Sequence, residues 1–342
     1  MNTLEIQGST GKSTLLLGEN LKNLETRLPP SKRVIITDGN VRRLYGDLFP
    51  ESRIIEIGMG EDIKTLETAQ DIFQKLVDYE ADRNIFIVGI GGGIVCDMAG
   101  FVASTYLRGV RFGFVATTLL AQVDASVGGK NGVNFSGFKN MVGVFNQPQF
   151  VICDPRVLRT LSERDRGCGL AEIVKHAAIA DDSLFHYLEK NQGEIMALSP
   201  GAVQRMVHDS VVIKSGIVNR DEKESGERRK LNFGHTIGHA VEKVYKLPHG
   251  EAVSIGMMAA AKLSAIKGYL TDAHVARLAE LLESLKLPTR WELDGAEIFD
   301  ALRHDKKREN DTVHFVLLQR LGRAVVEPIS FKELGTLIHE LL

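Results

Sequence analysis

The sequence predicts an α/β N-terminal half built on a parallel sheet, followed by an all-α C-terminal half. Short β-branched runs alternate with helical stretches in the first half, and this alternation is typical of a parallel sheet covered on both faces. Beyond Asp154-Pro155 the strand-like runs end and long helical patterns take over. A chain of 342 residues is long enough for two domains. We therefore expect domains at residues 1–157 and 158–342.

The predicted strands are short runs rich in Val, Ile and Phe, at residues 33–37, 53–57, 84–89, 111–116 and 149–153. Apolar residues recur at three- and four-residue steps over residues 61–79, as one buried face of a helix requires. In the second half, the same spacing predicts helices over 170–189, 201–218, 236–245 and 251–267. The charged run at 219–230 predicts a solvated loop.

The composition excludes several classes of protein. With 44% hydrophobic and 25% charged residues, the chain does not resemble a disordered, collagen-like or coiled-coil protein. The 42 basic and 44 acidic residues give no overall field that would attract nucleic acid or an acidic membrane. The longest apolar runs are too short to span a bilayer, and the three cysteines form no CxxC motif. We expect a cytoplasmic protein with reduced thiols and no nucleic-acid or membrane partner.

A glycine-rich turn follows the strand predicted at 84–89. Residues 89–97 read GIGGGIVCD, and glycines between a strand and a helix let backbone N–H groups approach a pyrophosphate. The GxGxxG fingerprint is not met, because Ile94 stands at its last glycine, so these residues alone leave a tight structural turn equally open. A nucleotide site is favoured by polar residues that follow neighbouring strands, namely Asp38, Glu61, Lys64, Thr117 and Thr118.

A second glycine motif is rejected. Residues 11–14 read GKST, like the end of a P-loop, but Ile6 stands where the first glycine of that motif is required. We therefore expect no ATP-binding loop there.

A group of histidines has spacing typical of a metal site. His235 and His239 are four residues apart and so project from one face of a helix, and His249 and Glu172 lie in other polar segments. A carboxylate with two or three imidazoles suits zinc and leaves a coordination position open for catalysis. Each histidine taken alone is more often an ordinary polar contact. The HxxxH pair lacks the glutamate of HExxH, so a metalloprotease is not indicated.

Cations are distributed among small and polar residues. Lys130 lies in the low-charge stretch 117–134 near Asp124, and a lysine in such surroundings is expected to meet an anion. The ordinary interpretation of any one lysine is a solvated surface group. The other members of this set are Arg108, Lys139, Lys175, Lys214, Arg228 and Lys306.

Together these motifs resemble the 3-dehydroquinate synthase family of sugar phosphate cyclases. The matching blocks span residues 38–307 in the family's order and include TTLLAQVDASVGGK at 117–130, NFGHTIGHA at 232–240 and HGE at 249–251. Ala116 and His176 depart from the family's usual Pro and Tyr, from which we expect only local packing changes. Lys214 and Arg228 favour this family over cyclases that act on other sugar phosphates.

The resemblance implies a Rossmann-like N-terminal domain, a helical C-terminal domain, an active site in the cleft between them and a homodimer. It implies that zinc or cobalt binds Glu172, His235 and His249. It implies that NAD contacts Asp38, Glu61, Lys64, Gly92, Gly93, Asp97, Thr117, Thr118, Lys130 and Lys139. Substrate contacts would be Asp124, Lys130, Lys139, Asn140, Lys175, Lys214, Arg228, Asn232, His239 and Lys306, with Arg108 supplied by the neighbouring subunit. The catalytic residues among these would be Lys130, Asn140, Lys175, Arg228 and His239. The sequence leaves open whether Lys306 or Lys307 faces the ligand.

The implied activity converts 3-deoxy-D-arabino-heptulosonate 7-phosphate into 3-dehydroquinate and phosphate, a lyase reaction of the shikimate pathway of aromatic amino acid biosynthesis. It passes through transient oxidation by NAD, β-elimination of phosphate, re-reduction, ring opening and intramolecular aldol closure. The alternatives are another sugar phosphate cyclase, a metal-dependent polyol dehydrogenase of the glycerol type, and a non-catalytic NAD-binding protein. Gly100 and Glu172 stand where the dehydrogenases tend to have Lys and Asp, which argues against that alternative.

Overall fold

The computed structural model describes residues 2–303, 308–309 and 311–342. The chain divides into two compact units. Unit 1 consists of Met1–Leu161 and Lys214–Lys223, and unit 2 consists of Ser162–Ile213 and Glu224–Leu342. The short segment Lys214–Lys223 therefore packs with the N-terminal part of the chain.

Unit 1 contains a seven-stranded sheet and a separate two-stranded ribbon. The strands are β1 (Asn2–Gly8), β2 (Gly11–Leu17), β3 (Arg33–Asp38), β4 (Arg53–Ile57), β5 (Phe86–Gly91), β6 (Arg111–Ala116), β7 (Lys130–Phe135), β8 (Phe138–Phe145) and β9 (Phe150–Cys153). The sheet order is β1-β2-β9-β6-β5-β3-β4, and β7 pairs with β8 in the ribbon. All neighbours in the sheet run parallel except β1 and β2, which form an antiparallel hairpin at one edge.

The five strands predicted from β-branched runs are present, which confirms the parallel sheet. Their buried side chains form the core, in which Phe86 stacks on Phe150 with 5.8 Å between the ring centroids. Each such fully buried apolar side chain stabilises the fold by about 1.5–3 kcal/mol. Strands β1, β2, β7 and β8 were not predicted, because their polar and glycine-rich sequences lack a continuous apolar run. The GKST residues begin β2, an extended strand instead of a phosphate-binding loop.

The α-helices of unit 1 are α1 (Gly39–Tyr45), α2 (Leu66–Asp78) and α3 (Gly93–Thr105). Helix α2 occupies most of the segment predicted at 61–79 and begins after Thr65, whose side chain accepts a hydrogen bond from the backbone N–H of Thr68 at 3.2 Å. Shorter helical turns are the 3₁₀ segments Leu21–Arg27, Gly46–Leu48, Glu61–Ile63, Tyr106–Arg108 and Pro155–Thr160, and the π-helical turn Ala121–Ala125.

Unit 2 is mainly helical, which confirms the helical C-terminal half. Its helices are α4 (Glu163–Ala180), α5 (Asp182–Lys190), α6 (Gln192–Met196), α7 (Pro200–Arg220), α8 (His235–Tyr245), α9 (His249–Ile266), α10 (Asp272–Ser284), α11 (Gly295–Arg303) and α12 (Phe331–Leu341). The last turns of α7, from Lys214 on, belong to unit 1. It also contains an antiparallel sheet of β10 (Arg308–Glu309), β11 (Thr312–Arg320) and β12 (Arg323–Ser330). The all-α expectation omitted this sheet, because short apolar runs do not distinguish strand from helix by periodicity.

Two local predictions in the second half need correction. The helix predicted at 170–189 is broken into α4 and α5, because the Asp181 side chain accepts from the backbone N–H groups of Ser183 and Leu184 and starts a new helix. The solvated loop predicted at 219–230 is shorter than expected. Its first residues end α7, its last residues enter the 3₁₀ helix Glu227–Asn232, and Arg228 is only 2% exposed.

None of the helices in the described parts of the chain combines the length and the apolar character needed to cross a membrane.

Candidate active site

The glycine-rich turn of unit 1 lies between β5 and α3. Gly92 is the N-cap of α3, and Gly93 is the first residue of that 13-residue helix, whose opening N–H groups have no partner within the helix. A Cβ atom at Gly92 would lie 3.0 Å from Thr118 Cγ2, and one at Gly93 would lie 3.0 Å from Ala125 Cβ. The glycines therefore allow the π-helical turn and Thr118 to approach the start of α3 closely.

A polar network joins three of the predicted NAD residues to the ribbon. The ammonium of Lys64, which is only 4% exposed, donates to Asp97 on α3 and to Asn140 on β8. Asn134 of β7 completes the network: its side chain accepts from Asn140 N at 2.9 Å and donates to Glu61 Oε1 at 2.9 Å. Burial raises the pKa of the Asp97 carboxyl, and the positive charge of Lys64 offsets part of this effect.

A second ion pair in unit 1 involves the segment Lys214–Lys223. Lys214 Nζ donates at 2.6 Å both to the backbone oxygen and to the Oδ1 of Asp124, in the π-helical turn. The same segment is bound to the β1–β2 hairpin, where Glu222 accepts from Ser9 N at 2.8 Å and Asn219 accepts from Gln7 N at 3.0 Å. These contacts keep the Lys214 side chain in its ion pair with Asp124.

The other predicted residues of unit 1 lie near strand ends and on the ribbon. Asp38 follows β3 and accepts from Val41 N at 2.9 Å, so its carboxylate caps α1. Thr117 directly follows β6, and its N–H donates to Gly91 O at 2.9 Å. Lys130 and Lys139 are exposed on β7 and β8. Arg108 is exposed at the end of a 3₁₀ turn.

In unit 2, close packing at glycines brings three helices together. A Cβ atom at Gly250 of α9 would lie 2.4 Å from Cys168 Cα of α4, so only glycine permits this approach. A Cβ atom at Gly256 of α9 would lie 1.9 Å from the backbone oxygen of Gly234, directly before α8. The start of α9, which carries His249, is thereby placed against both α4 and α8.

This packing gathers the predicted metal-binding residues. Glu172 Oε1 lies 3.0 Å from His249 Nε2 and 3.5 Å from His235 Nε2. One donor atom from each of the three residues lies within 4.8 Å of the others. The second carboxylate oxygen of Glu172 forms an ion pair with Lys175, one turn later on α4. Lys175 therefore holds a fully buried carboxylate with Oε1 directed at the two histidines.

The electrostatics of this cluster favour a cation. Burial acts to lower the pKa of His249, but hydrogen bonds to Glu172 and Glu242 and their negative charges outweigh it and raise the pKa to about 10. A carboxylate oxygen with two imidazole nitrogens is also a donor set that zinc and cobalt accept. Glu172, His235 and His249 therefore fit a divalent metal ion.

Among the remaining predicted residues of unit 2, His239 and Lys175 lie beside this cluster. The ring of His239 lies 5.1 Å from that of His235 and 6.4 Å from that of His249, measured between centroids. Lys175 is in direct contact with Glu172. Arg228 is buried in the 3₁₀ helix before α8, and Asn232 at the end of that helix donates to Glu224. Lys306 and Lys307 lie outside the described residues.

Three further polar residues of these sites were not predicted from the sequence. Glu242 follows His235 and His239 at helical positions i+7 and i+3, so the shared face of α8 is a signal that could have identified it. Glu224 lies in a charged run where no spacing distinguishes it. Asn134 has no local signal, because its role depends on the pairing of β7 with β8.

Comparison with solved structures identifies the class. A 2-deoxy-scyllo-inosose synthase complexed with carbaglucose-6-phosphate, NAD⁺ and Co²⁺ superimposes with a TM-score of 0.88 at 27% identity, over 100% of both chains. A 2-epi-5-epi-valiolone synthase from Streptomyces hygroscopicus with NAD⁺ and Zn²⁺ bound gives a TM-score of 0.87 at 28% identity, over 96% of both chains. The fold is thus shared with synthases whose solved structures contain NAD⁺ and a divalent metal ion.

The sequence comparisons identify the family more closely. Residues 54–167 match the family model for the 3-dehydroquinate synthase N-terminal region, and residues 169–308 match that for the C-terminal region. The 3-dehydroquinate synthase of Thermoanaerobacter pseudethanolicus is 43% identical over 330 residues, which cover 93% of this chain and 92% of that protein. The chain belongs to the 3-dehydroquinate synthase family, as its motifs predicted.

Proposed function

We propose that the protein catalyses the 3-dehydroquinate synthase reaction, in which 3-deoxy-D-arabino-heptulosonate 7-phosphate yields 3-dehydroquinate and phosphate. Family membership supports the reaction. The observation that carries the proposal is the contact of Glu172 with both His235 and His249 in unit 2. This cluster supplies the metal chemistry that a plain NAD-binding protein would not need.

The proposed cofactors are NAD and a divalent metal, zinc or cobalt. The synthases solved with NAD⁺ and Co²⁺ or Zn²⁺ support this assignment. We assign NAD to the glycine turn at Gly92 and Gly93 and the polar residues around it in unit 1, and the metal to the cluster in unit 2. When bound, NAD would supply reversible hydride transfer and the metal would supply Lewis acidity at a substrate oxygen.

The chain's own residues would bind and orient an anionic substrate. Lys130 and Lys139 on the ribbon, with Arg108, would offset the negative charge on the departing phosphate. Lys175, Lys214 and Arg228 are largely buried and carry fixed positive charge, so they would orient the substrate with little freedom. His239, Asn140, Asn232 and Asp124 would bind its hydroxyl groups.

We further propose that the phosphate of the substrate takes the proton that leaves before β-elimination. The described carboxylates near the predicted sites already have partners: Glu172 contacts Lys175 and the histidines, Asp97 contacts Lys64, and Asp124 contacts Lys214. A homologous phosphonate that binds well but shows no exchange of this proton would support the idea. Unchanged exchange in an analogue without phosphate would contradict it.

A homodimer and a cytoplasmic location complete the proposal. Leu107 and Arg108 both have left-handed backbone conformations, with φ of 48° and 68°, and Leu107 is 40% exposed. Non-glycine residues in this strained conformation cluster at functional sites, which supports a functional role for Arg108, and we assign that role to the active site of a second subunit. The three cysteines are unpaired with one another, as in a reducing compartment. Light scattering tests the dimer, and mixing inactive R108A with inactive H249A should restore part of the activity if Arg108 acts across subunits.

A phosphate-release assay tests the reaction. With the heptulosonate phosphate and NAD, we expect inorganic phosphate without accumulation of NADH, and we expect loss of activity with a chelator and recovery with Zn²⁺ or Co²⁺. The variant H249A should lose phosphate release and bound metal together. Accumulation of NADH from glycerol without phosphate release would instead identify a polyol dehydrogenase, and the absence of both activities would identify a non-catalytic protein.

A further inference from the structure

The two histidines of the metal cluster are held in the same way at their ring nitrogens. His235 and His249 both direct Nε2 toward Glu172 Oε1. Their other nitrogens face hydrogen-bond acceptors: His235 Nδ1 lies 3.1 Å from the backbone oxygen of Phe233, and His249 Nδ1 lies 3.5 Å from Glu242 Oε2. The acceptor for His235 is neutral, whereas that for His249 is a carboxylate.

Glu242 is a buried carboxylate, with 9% of its surface exposed. It lies one turn beyond His239 on α8, so its position follows from the face of this helix that packs against α9. Burying a carboxylate is unfavourable unless the charge has a partner. The imidazole of His249 is such a partner, and the proposed function gives Glu242 no contact with substrate or NAD.

We propose that Glu242 is a positioning residue that orients His249 for the metal through its Nδ1–H group. The proposal rests on the metal site of the proposed function. An acceptor at Nδ1 fixes the proton there and leaves the Nε2 lone pair directed at the ion. A negatively charged acceptor also makes the imidazole a stronger electron donor to the metal. The neutral carbonyl that faces His235 has a weaker effect of this kind.

The geometry argues against a role for Glu242 as a direct ligand. Donor atoms of His239, Glu242 and His249 do lie within 4.8 Å of one another. The nitrogens of an imidazole ring, however, point in different directions. An ion held by Glu172, His235 and Nε2 of His249 would therefore leave Nδ1 of His249, which faces Glu242, for a different partner.

The test compares E242Q and E242A with wild type by zinc affinity and by the visible spectrum of the cobalt form. E242Q keeps an acceptor without the charge and should bind zinc about 10-fold more weakly, and E242A, which has no acceptor, about 100-fold more weakly. The intensity of the cobalt bands should be retained in both variants, because the number of ligands does not change. The matched control is E189Q, which removes a partly buried carboxylate that pairs with Arg277, and it should bind zinc like wild type.

Other outcomes would overturn the proposal in distinguishable ways. Wild-type zinc affinity in E242A, with a lower melting temperature, would mean a structural role only. A large change in the intensity of the cobalt bands would mean that Glu242 is itself a ligand. If H249A also bound zinc like wild type, the metal site of the proposed function would fail. If H249A lost zinc while E242A kept it, only the role of Glu242 would fail.

Discussion

The substitution Gly250→Ala is expected to disrupt metal binding without touching a metal ligand. The added Cβ would lie 2.4 Å from Cys168 Cα, 3.0 Å from Cys168 N and 3.1 Å from Gly167 O. These are backbone atoms of α4 and cannot rotate away. Carbon atoms in ordinary contact are about 3.5–4.0 Å apart, so α4 and α9 must separate locally by about 1 Å.

That separation acts directly on the cluster. Gly250 follows His249, and Cys168 lies one helical turn before Glu172, so the two helices move apart where His249 meets Glu172. Ligand distances in metal sites hold to within about 0.2 Å. We expect zinc affinity to fall by about 100-fold or more, since misplacement by about 1 Å has effects of this size at active sites. Overpacking should also destabilise the fold by about 1–3 kcal/mol.

The measurement is zinc affinity by competition with a chromophoric chelator, together with thermal unfolding of the metal-free protein. The matched control is Gly201→Ala on α7, where the added carbon would meet no atom within 4 Å apart from its chain neighbours and the backbone of its own helix, so zinc affinity should not change. A folded G250A protein with wild-type zinc affinity would refute the argument that this glycine sets the distance between His249 and Glu172.

Three further predictions concern other parts of the structure. Lys64→Met leaves the buried Asp97 carboxylate without its cation, which should cost about 3–5 kcal/mol at neutral pH in urea unfolding. Burial raises the pKa of Asp97, and the loss of Lys64 raises it further. A carboxyl with a raised pKa contributes stability at low pH that is lost as pH rises, so the stability deficit of the variant should shrink below that pKa. A deficit that does not depend on pH would contradict this. Gly93→Val crowds Ala125 at the start of α3 and should weaken NAD binding, measured by calorimetry, by about 10-fold or more, which corresponds to about 1.4 kcal/mol. The control Gly46→Ala makes only an ordinary contact with Arg42 and should bind NAD like wild type. Equal NAD affinities of the two variants would exclude the glycine turn as the NAD site. Asp181→Ala removes the cap of α5 and should destabilise the protein by about 1 kcal/mol in thermal unfolding, while an unchanged melting temperature would show that the cap contributes nothing.

Local patterns in the sequence were sufficient to predict the elements that depend on residue type and on near neighbours in the chain. The five central strands follow from their β-branched runs, because such side chains pack well on a pleated, buried surface. The glycine turn before α3 and the shared face of His235 and His239 follow from spacing alone. The family motifs also predicted the membership that the comparisons establish.

Contacts between distant residues were decided only by the tertiary structure. Glu172 and His249 are 77 residues apart, and no local spacing relates them; close packing at Gly250 brings them together. The link from Glu61 through Asn134 to Asn140 exists because β7 pairs with β8. No pattern in the sequence of these two strands predicts that pairing. Glu242 reaches His249 because α8 packs on α9. Periodicity reports which face of an element is buried, whereas the partner of that face depends on how whole elements pack.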